Sequence, residues 1–260
     1  MQTMKKNQLA VSLFTLRDSC KNEAGFRETL KKVRDIGYTA VEVAGFPPDM
    51  NAAAVRKALD DAGLVCSSTH ENPTLILDNP AQVIENLNTL GCKYTAYPYP
   101  AGVVFDDPAS MDKLVAGLDS AGAVFAKAGI TLCYHNHAHE LFRIGDSNVL
   151  AEIYRRVPAT HLSAQLDTFW IQAGGANVAT WIKSMSGRLP LLHLKDYGVN
   201  PKGERHFAEI GSGSLDWKTL IPLAAEAGCK WVIVEQDVCP GDPFVSIKKS
   251  YDYLVKNILG

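Results

Sequence analysis

Four short stretches of this 260-residue chain set histidine and carboxylate residues into otherwise apolar runs. They are Tyr134-His135-Asn136-His137, Ala164-Gln165-Leu166-Asp167, Leu192-His193-Leu194-Lys195 and Val234-Glu235-Gln236-Asp237. Side chains alternate faces along an extended strand. Each stretch therefore pairs its polar residues on one face: His135 with His137, Gln165 with Asp167, His193 with Lys195, Glu235 with Asp237. The opposite faces carry Leu132 and Tyr134, Leu192 and Leu194, Val232 and Val234. Buried charge is costly unless it is paired or bound to a metal. Histidine and carboxylates converging from several strands thus call for a divalent cation. Carboxylate and imidazole donors without thiolate suit Mn, Mg, Co, Fe or Zn. Mixed donors with an open position suit catalysis better than a closed structural site.

Further polar residues sit where strands should end. Glu42 lies between Val41 and Val43, His70 follows Ser67-Ser68-Thr69, and Arg17 follows the first apolar run. Several have a plainer reading. Asp167 also suits a helix N-cap, Glu235 an ion pair with Lys195, and Arg17 a solvent ion pair. Trp170 and Phe14 suit pocket walls, and Arg205-His206 a solvated loop over the mouth. His193 alone would read as a core histidine, but Lys195 on its face requires an anionic neighbour. His139 and His161 fall off the inward pattern and read as surface residues.

The elements that must position these residues are marked by a recurring stop. An amphipathic stretch ends at glycine and an apolar run follows, at Ile36-Gly37-Tyr38, Ala62-Gly63-Leu64, Leu90-Gly91-Cys92, Ala128-Gly129-Ile130 and Ala227-Gly228-Cys229. Glycine suits the left-handed position that ends a helix. The pattern predicts strands near 9–14, 38–43, 64–70, 92–98, 130–137, 161–167, 189–195 and 230–236. It predicts helices near 23–36, 51–62, 79–90, 109–128, 147–156, 177–186, 215–227 and 243–258. Strict alternation implies a parallel sheet. Eight units over residues 1–260, without a linker, predict a single (β/α)8 TIM-barrel domain rather than a doubly wound sheet. The first strand leads into Phe14-Thr15-Leu16-Arg17-Asp18, which lacks the GxGxxG turn a dinucleotide fold needs. Barrel enzymes place their sites at the C-terminal strand ends, where the polar stretches fall.

Bulk composition narrows the partners. A net charge of −2 gives no support to nucleic-acid binding. The apolar run after Lys5-Lys6 is short and closes on Arg17-Asp18, so it reads as a strand rather than a signal peptide. No segment has the ~18 apolar residues of a membrane span. The six cysteines form no CxxC pair and read as reduced, buried residues of a cytoplasmic protein.

These residues resemble the xylose isomerase-like TIM-barrel superfamily, also called the sugar phosphate isomerase/epimerase family, and within it a subgroup with an HNHxxE pattern. The likeness is carried by Tyr134-His135-Asn136-His137 with Glu140, by Leu166-Asp167-Thr168 with Trp170, and by His193-Leu194-Lys195-Asp196. Gly211-Ser212-Gly213 with Leu215-Asp216-Trp217, and Glu235-Gln236-Asp237, complete it. The resemblance implies one metal ion held by a strand-5 carboxylate and by Asp167, His193 and Glu235. Many members carry Glu where this chain has His135. The HNHxxE pattern implies that Glu140 loops back to the metal, with His135 as the alternative ligand. Glu42, His70, His135, Trp170, Arg17 and Arg205 are the expected substrate contacts.

The chemistry implied is divalent-metal-dependent isomerisation or epimerisation of a keto- or aldo-sugar, phosphorylated or not, through an enediolate. His137 serves as base or acid, Lys195 as oxyanion stabiliser, and Glu235 in acid–base work at the metal. The same site permits a lyase or dehydratase eliminating across a 3-keto-sugar or keto-glycoside. An AP-endonuclease-like phosphodiesterase shares the barrel, but the acidic balance argues against it. A non-catalytic sugar-binding barrel would not need the full ligand set. The expected partner is a small carbohydrate, with no nucleic acid and no membrane; a homo-oligomer stays open.

Overall fold

Among the described residues, each of the ten α-helices starts at an Asn or Asp whose side chain accepts a backbone N–H of the first turn. Such caps satisfy donors that the helix itself leaves unpaired. In the computed structural model, which describes residues 4–259, these caps alternate with eight barrel strands. The strands are β1 Leu9–Ser12, β2 Ala40–Ala44, β3 Val65–His70, β4 Tyr94–Tyr97, β5 Thr131–His135, β6 Ser163–Asp167, β7 Leu191–Leu194 and β8 Trp231–Val234. Consecutive strands pair in parallel, and β1 pairs with β8 to close the barrel.

The helices are α1 Glu23–Ile36, α2 Ala52–Ala62, α3 Pro73–Asp78, α4 Pro80–Leu90, α5 Pro108–Lys127, α6 Val149–Arg156, α7 Thr168–Ala173, α8 Val178–Ser184, α9 Trp217–Glu226 and α10 Pro243–Asn257. At the ends of α2 and α4, Gly63 and Gly91 each take φ 66°, a conformation a Cβ would strain. Two helices, α3 and α7, lie outside the predicted pattern. Asn72-Pro73 starts α3, and Asp167 starts α7 directly at the end of β6. Two antiparallel hairpins are also additional: Arg143–Ile144 with Ser147–Asn148, and Asp196–Val199 with Arg205–Ala208. The first delays α6 to Val149, two residues later than the periodicity predicts.

Outward strand residues such as Val11, Val41, Leu132, Leu166, Leu192 and Val232 are fully buried against the helices. Inside the barrel, Ala10, Ala40, Ala96, Cys133, Leu191 and Ile233 form a separate apolar floor. Above that floor the interior turns polar. Among the described residues no helix is long and apolar enough to cross a membrane. All six cysteines are free; Cys20 and Cys239 are only half-buried, whereas Cys66 and Cys133 lie in strands and Cys92 and Cys229 in the buried turns that lead into β4 and β8.

Candidate metal centre and active site

The polar layer begins at β2. A β-bulge between Val41 and Glu42 lets β3 slip by one residue, so Ser68 rather than Ser67 faces Glu42. Glu42 is fully buried, and its Oε2 accepts hydrogen bonds from Ser68 Oγ (2.7 Å) and Gln165 Nε2 (2.6 Å). Across the barrel, His193 Nε2 lies 2.8 Å from Glu42 Oε1 and His193 Nδ1 lies 3.1 Å from Glu235 Oε2. Burial disfavours the imidazolium, yet Glu42 and Glu235 outweigh it and raise His193 to about 10. Burial likewise opposes the Glu42 anion, but His193 and His70 hold Glu42 down to about 2.

Asp167 does two things at once. Its Oδ1 caps α7 by accepting Trp170 N at 3.0 Å, and its Oδ2 is left facing the barrel axis group. Asn136 Oδ1 accepts Asp167 N at 3.0 Å, which ties the turn after β5 to the end of β6. Burial pushes Asp167 up to about 6, against the pull of Lys195 and His193. Lys195 is only 1% exposed. Its Nζ sits 2.6 Å from Glu235 Oε2, 3.0 Å from Asp237 Oδ1 and 3.0 Å from Asp167 Oδ2, the last out of hydrogen-bond alignment. Burial opposes the ammonium, but these three carboxylates raise its pKa further above the ordinary lysine value. Burial opposes Glu235 as well, yet Lys195 and His193 hold it well below the usual carboxylate range. Thr168 locks the lysine in place by accepting Lys195 N at 3.0 Å.

One donor atom each from His135, Asp167, His193 and Glu235 lie within 4.8 Å of one another, and all four residues are buried. His135 Nδ1 and Asp167 Oδ2 are buried without a hydrogen-bond partner. Burial, then His193 and His70, keep His135 well below the ordinary histidine value, so its ring is neutral and can offer a lone pair. Unsatisfied buried polar atoms are rare and costly, and this oxygen–nitrogen donor set suits a hard or borderline divalent cation. The residues present therefore fit such an ion.

Glu140 is placed elsewhere. It is fully buried, but its carboxylate accepts Tyr134 OH at 3.0 Å and His137 N at 2.8 Å. Tyr134 occupies the outward face of β5, opposite His135, so Glu140 falls on the far side of the strand. It groups with His137 and His139, not with Asp167, His193 and Glu235. Its bond to the His137 amide also ends β5 at His135, two residues before the sequence pattern does, by drawing that amide out of the ladder.

A cavity of about 280 Å³ opens above the cluster, lined by His70, Tyr99, His135, His137, Lys195 and Glu235 among others. His70 Nε2 meets Gln165 Oε1 at 2.6 Å, and its ring stacks on His193 at 5.2 Å. Burial and the Lys195 charge push His137 down to about 3. Glu42 lies beneath the cavity, where it holds His193 rather than lining the space. Arg17 is tied to Phe14 O and Asp237 O at 2.9 Å each, and Arg205 lines a neighbouring cavity, so neither lines this one. Trp170 stands between the two, 5.5 Å from the His137 ring. Tyr99, Gln165 and Asp237 belong to the site although motif reasoning assigned them no role. For Gln165 and Asp237 the strand alternation already carried the signal.

Fold and site together define a parallel eight-stranded barrel with histidine and carboxylate donors gathered at its C-terminal mouth. The family description xylose isomerase-like TIM barrel matches residues 30–255, and the chain belongs to that family. No curated protein matches the chain. A sugar phosphate isomerase/epimerase from Parabacteroides distasonis ATCC 8503 is similar in structure, with a TM-score of 0.82, 19% identity, and 98% of this chain and 95% of that one covered. An L-ribulose 3-epimerase gives 0.74 at 16% identity, covering 97% and 94%. A xylose isomerase-like barrel from Mycobacterium smegmatis in complex with magnesium gives 0.76 at 14%, covering 97% and 98%.

Proposed function

We propose that this protein is a divalent-metal-dependent isomerase or epimerase of a small carbohydrate. The four-donor group His135, Asp167, His193 and Glu235, with two buried atoms left without a hydrogen bond at the barrel mouth, carries this reading. An ion held there would supply Lewis-acid polarisation of neighbouring carbonyl and hydroxyl oxygens, which acidifies the adjoining C–H. His137 is neutral in the cavity, so it is in the form that accepts that proton. Negative charge developing on the substrate beside it raises its basicity. The Lys195 ammonium faces the same space and stabilises the enediolate oxygen. Return of the proton to the other face gives epimerisation, and return to the neighbouring carbon gives isomerisation. Tyr99 and Phe14 wall the cavity and limit water.

The lysine lining this cavity is already shared among three carboxylates, and Arg17 is engaged by backbone carbonyls. That arrangement favours an uncharged sugar over a phosphorylated one. The test is proton NMR in D2O over keto- and aldo-sugars with Mn-loaded protein. Deuterium should enter at the carbon beside the carbonyl and fail to enter with His137→Ala. No exchange for any sugar would sink the proposal. Elimination of a neighbouring oxygen starts from the same enediolate and would register in those spectra as an unsaturated product.

A further inference from the structure

A second cavity, of about 410 Å³, neighbours the first. Its lining includes Phe169, Trp170, Arg205, His206, Phe207 and Val238. Lys195 Nζ, which lines the first cavity, lies 5.5 Å from the Trp170 ring and 5.7 Å from the Phe207 ring. Val238 follows Asp237, another lining residue of the first cavity. One extended molecule can therefore occupy both spaces. We infer that this second cavity binds a further sugar ring of the same substrate, so that the substrate is a glycoside of at least two rings. The inference rests on the proposed carbohydrate chemistry of the first cavity.

The lining specifies the occupant's chemistry. Phe169, Trp170 and Phe207 pack within 4.2 to 5.6 Å of one another and give an aromatic wall. No carboxylate lines the cavity, so it offers no ion-pair partner to a cation. The polar side chains offer donors: the Arg205 guanidinium, whose one bond among the described residues is a 3.5 Å contact to Ala173 O, and the N–H of the His206 ring, whose other nitrogen can accept. A ligand with an apolar face and an acceptor-rich edge satisfies both features, and a pyranose ring has that shape: C–H bonds on its face, hydroxyl oxygens around its rim.

The wall is also held in place before any ligand arrives. Asp196 is fully buried and accepts from Gly211 N, Gly213 N, Leu215 N, Tyr197 N and Trp217 Nε1, which pins the hairpin carrying Arg205 to Phe207. Gln236 Nε2 donates to Val238 O (3.2 Å) and to Phe207 O (3.5 Å), which joins the cavity's two sides. A preformed pocket avoids the cost of ordering its walls on binding.

The experiment uses unreactive sugars: glucose, cellobiose, maltose, trehalose and phenyl β-glucoside, titrated by saturation-transfer difference NMR. The best disaccharide should bind about tenfold tighter than glucose, the size expected of one stacked ring. Saturation should reach the protons of both rings. Phe207→Ala and Val238→Trp should each bring the disaccharide-to-glucose ratio close to one. Val238 is 65% exposed, so filling the cavity from that position does not threaten the fold. A ratio of one in the parent protein, or a ratio that survives Val238→Trp, would overturn the inference. Phenyl glucoside binding tightly while every disaccharide matches glucose would overturn the assignment to a sugar ring. None of these sugars has to react, so a failed deuterium exchange would remove the proposed reaction and leave this result readable.

Discussion

Replacing Lys195 with methionine tests the charge balance at the centre of the site. The ammonium is buried and lies 2.6, 3.0 and 3.0 Å from Glu235, Asp167 and Asp237. Methionine keeps the length and loses the charge, so three carboxylates are left crowded together. Removing one partner of a buried ionic group costs about 3–5 kcal/mol. For a chain of this size each kcal/mol lowers Tm by about 2–4 °C, so the metal-free variant should melt about 6–20 °C below the parent.

Metal should act in the opposite direction. A divalent ion held by Asp167 and Glu235 would compete with the ammonium for these carboxylates. Unit charges about 4 Å apart repel by about 4 kcal/mol at the effective dielectric of a protein site, and a divalent ion doubles this. Lysine would relieve part of that repulsion by leaning toward Asp237, which is 20% exposed. The variant should still bind Mn about tenfold or more tighter than the parent, and saturating Mn should raise its Tm by more. Scanning calorimetry with and without Mn, together with titration by electron paramagnetic resonance, reads both quantities. A metal-free Tm close to that of the parent, or an equal Mn-induced rise in both proteins, would refute the reasoning.

Three other outcomes follow from the geometry. His135→Ala should weaken Mn binding by about 100-fold or more, beyond what an outer-sphere partner costs, while Glu140→Gln leaves it nearly intact; the reverse order in the same titration would return the ligand role to Glu140. Burial raises Glu140 to about 7, above its unfolded value of about 4.3. The folded protein then holds the extra proton, and the associated stability, roughly 3–4 kcal/mol, is complete below that lower value and lost as pH rises through about 7. Glu140→Gln should therefore gain Tm relative to the parent between pH 5 and pH 8, and parallel curves would contradict this. Asp196→Ala strips five N–H groups of their acceptor and should cost about 3–5 kcal/mol, read as a fall in Tm and as protease cleavage within residues 196–208; an intact hairpin with an unchanged Tm would count against the anchor.

Much of the fold is legible locally. The glycines at 37, 63, 91, 129 and 228 all take positive φ, and each ends a helix where a strand must begin. That signal is short-range, so a single sequence carries it. The hairpins were not legible, because Asp196-Tyr197-Gly198-Val199 owes its pairing to an aspartate that gathers amides from 15 to 19 residues away. The helix α7 was hidden for a related reason: its cap is Asp167, a residue whose more conspicuous meaning is chemical.

For the site, alternation alone determined which side chains share the interior: His135, Gln165, Asp167, His193, Lys195, Glu235 and Asp237 all follow from a period of two. Only barrel closure decided their partners. Glu42 on β2 reaches His193 on β7, 151 residues away, because a closed barrel brings opposite strands across one axis. Closure also separated His135 from Glu140. The two lie five residues apart, yet the strand ends between them and the turn carries Glu140 to the outward face beside Tyr134. Periodicity carried over to Lys195, Glu235 and Asp237 just past the ends of β7 and β8, but not to Glu140, five residues past β5, where the tight turn His139–Leu141 sets the side chain's direction.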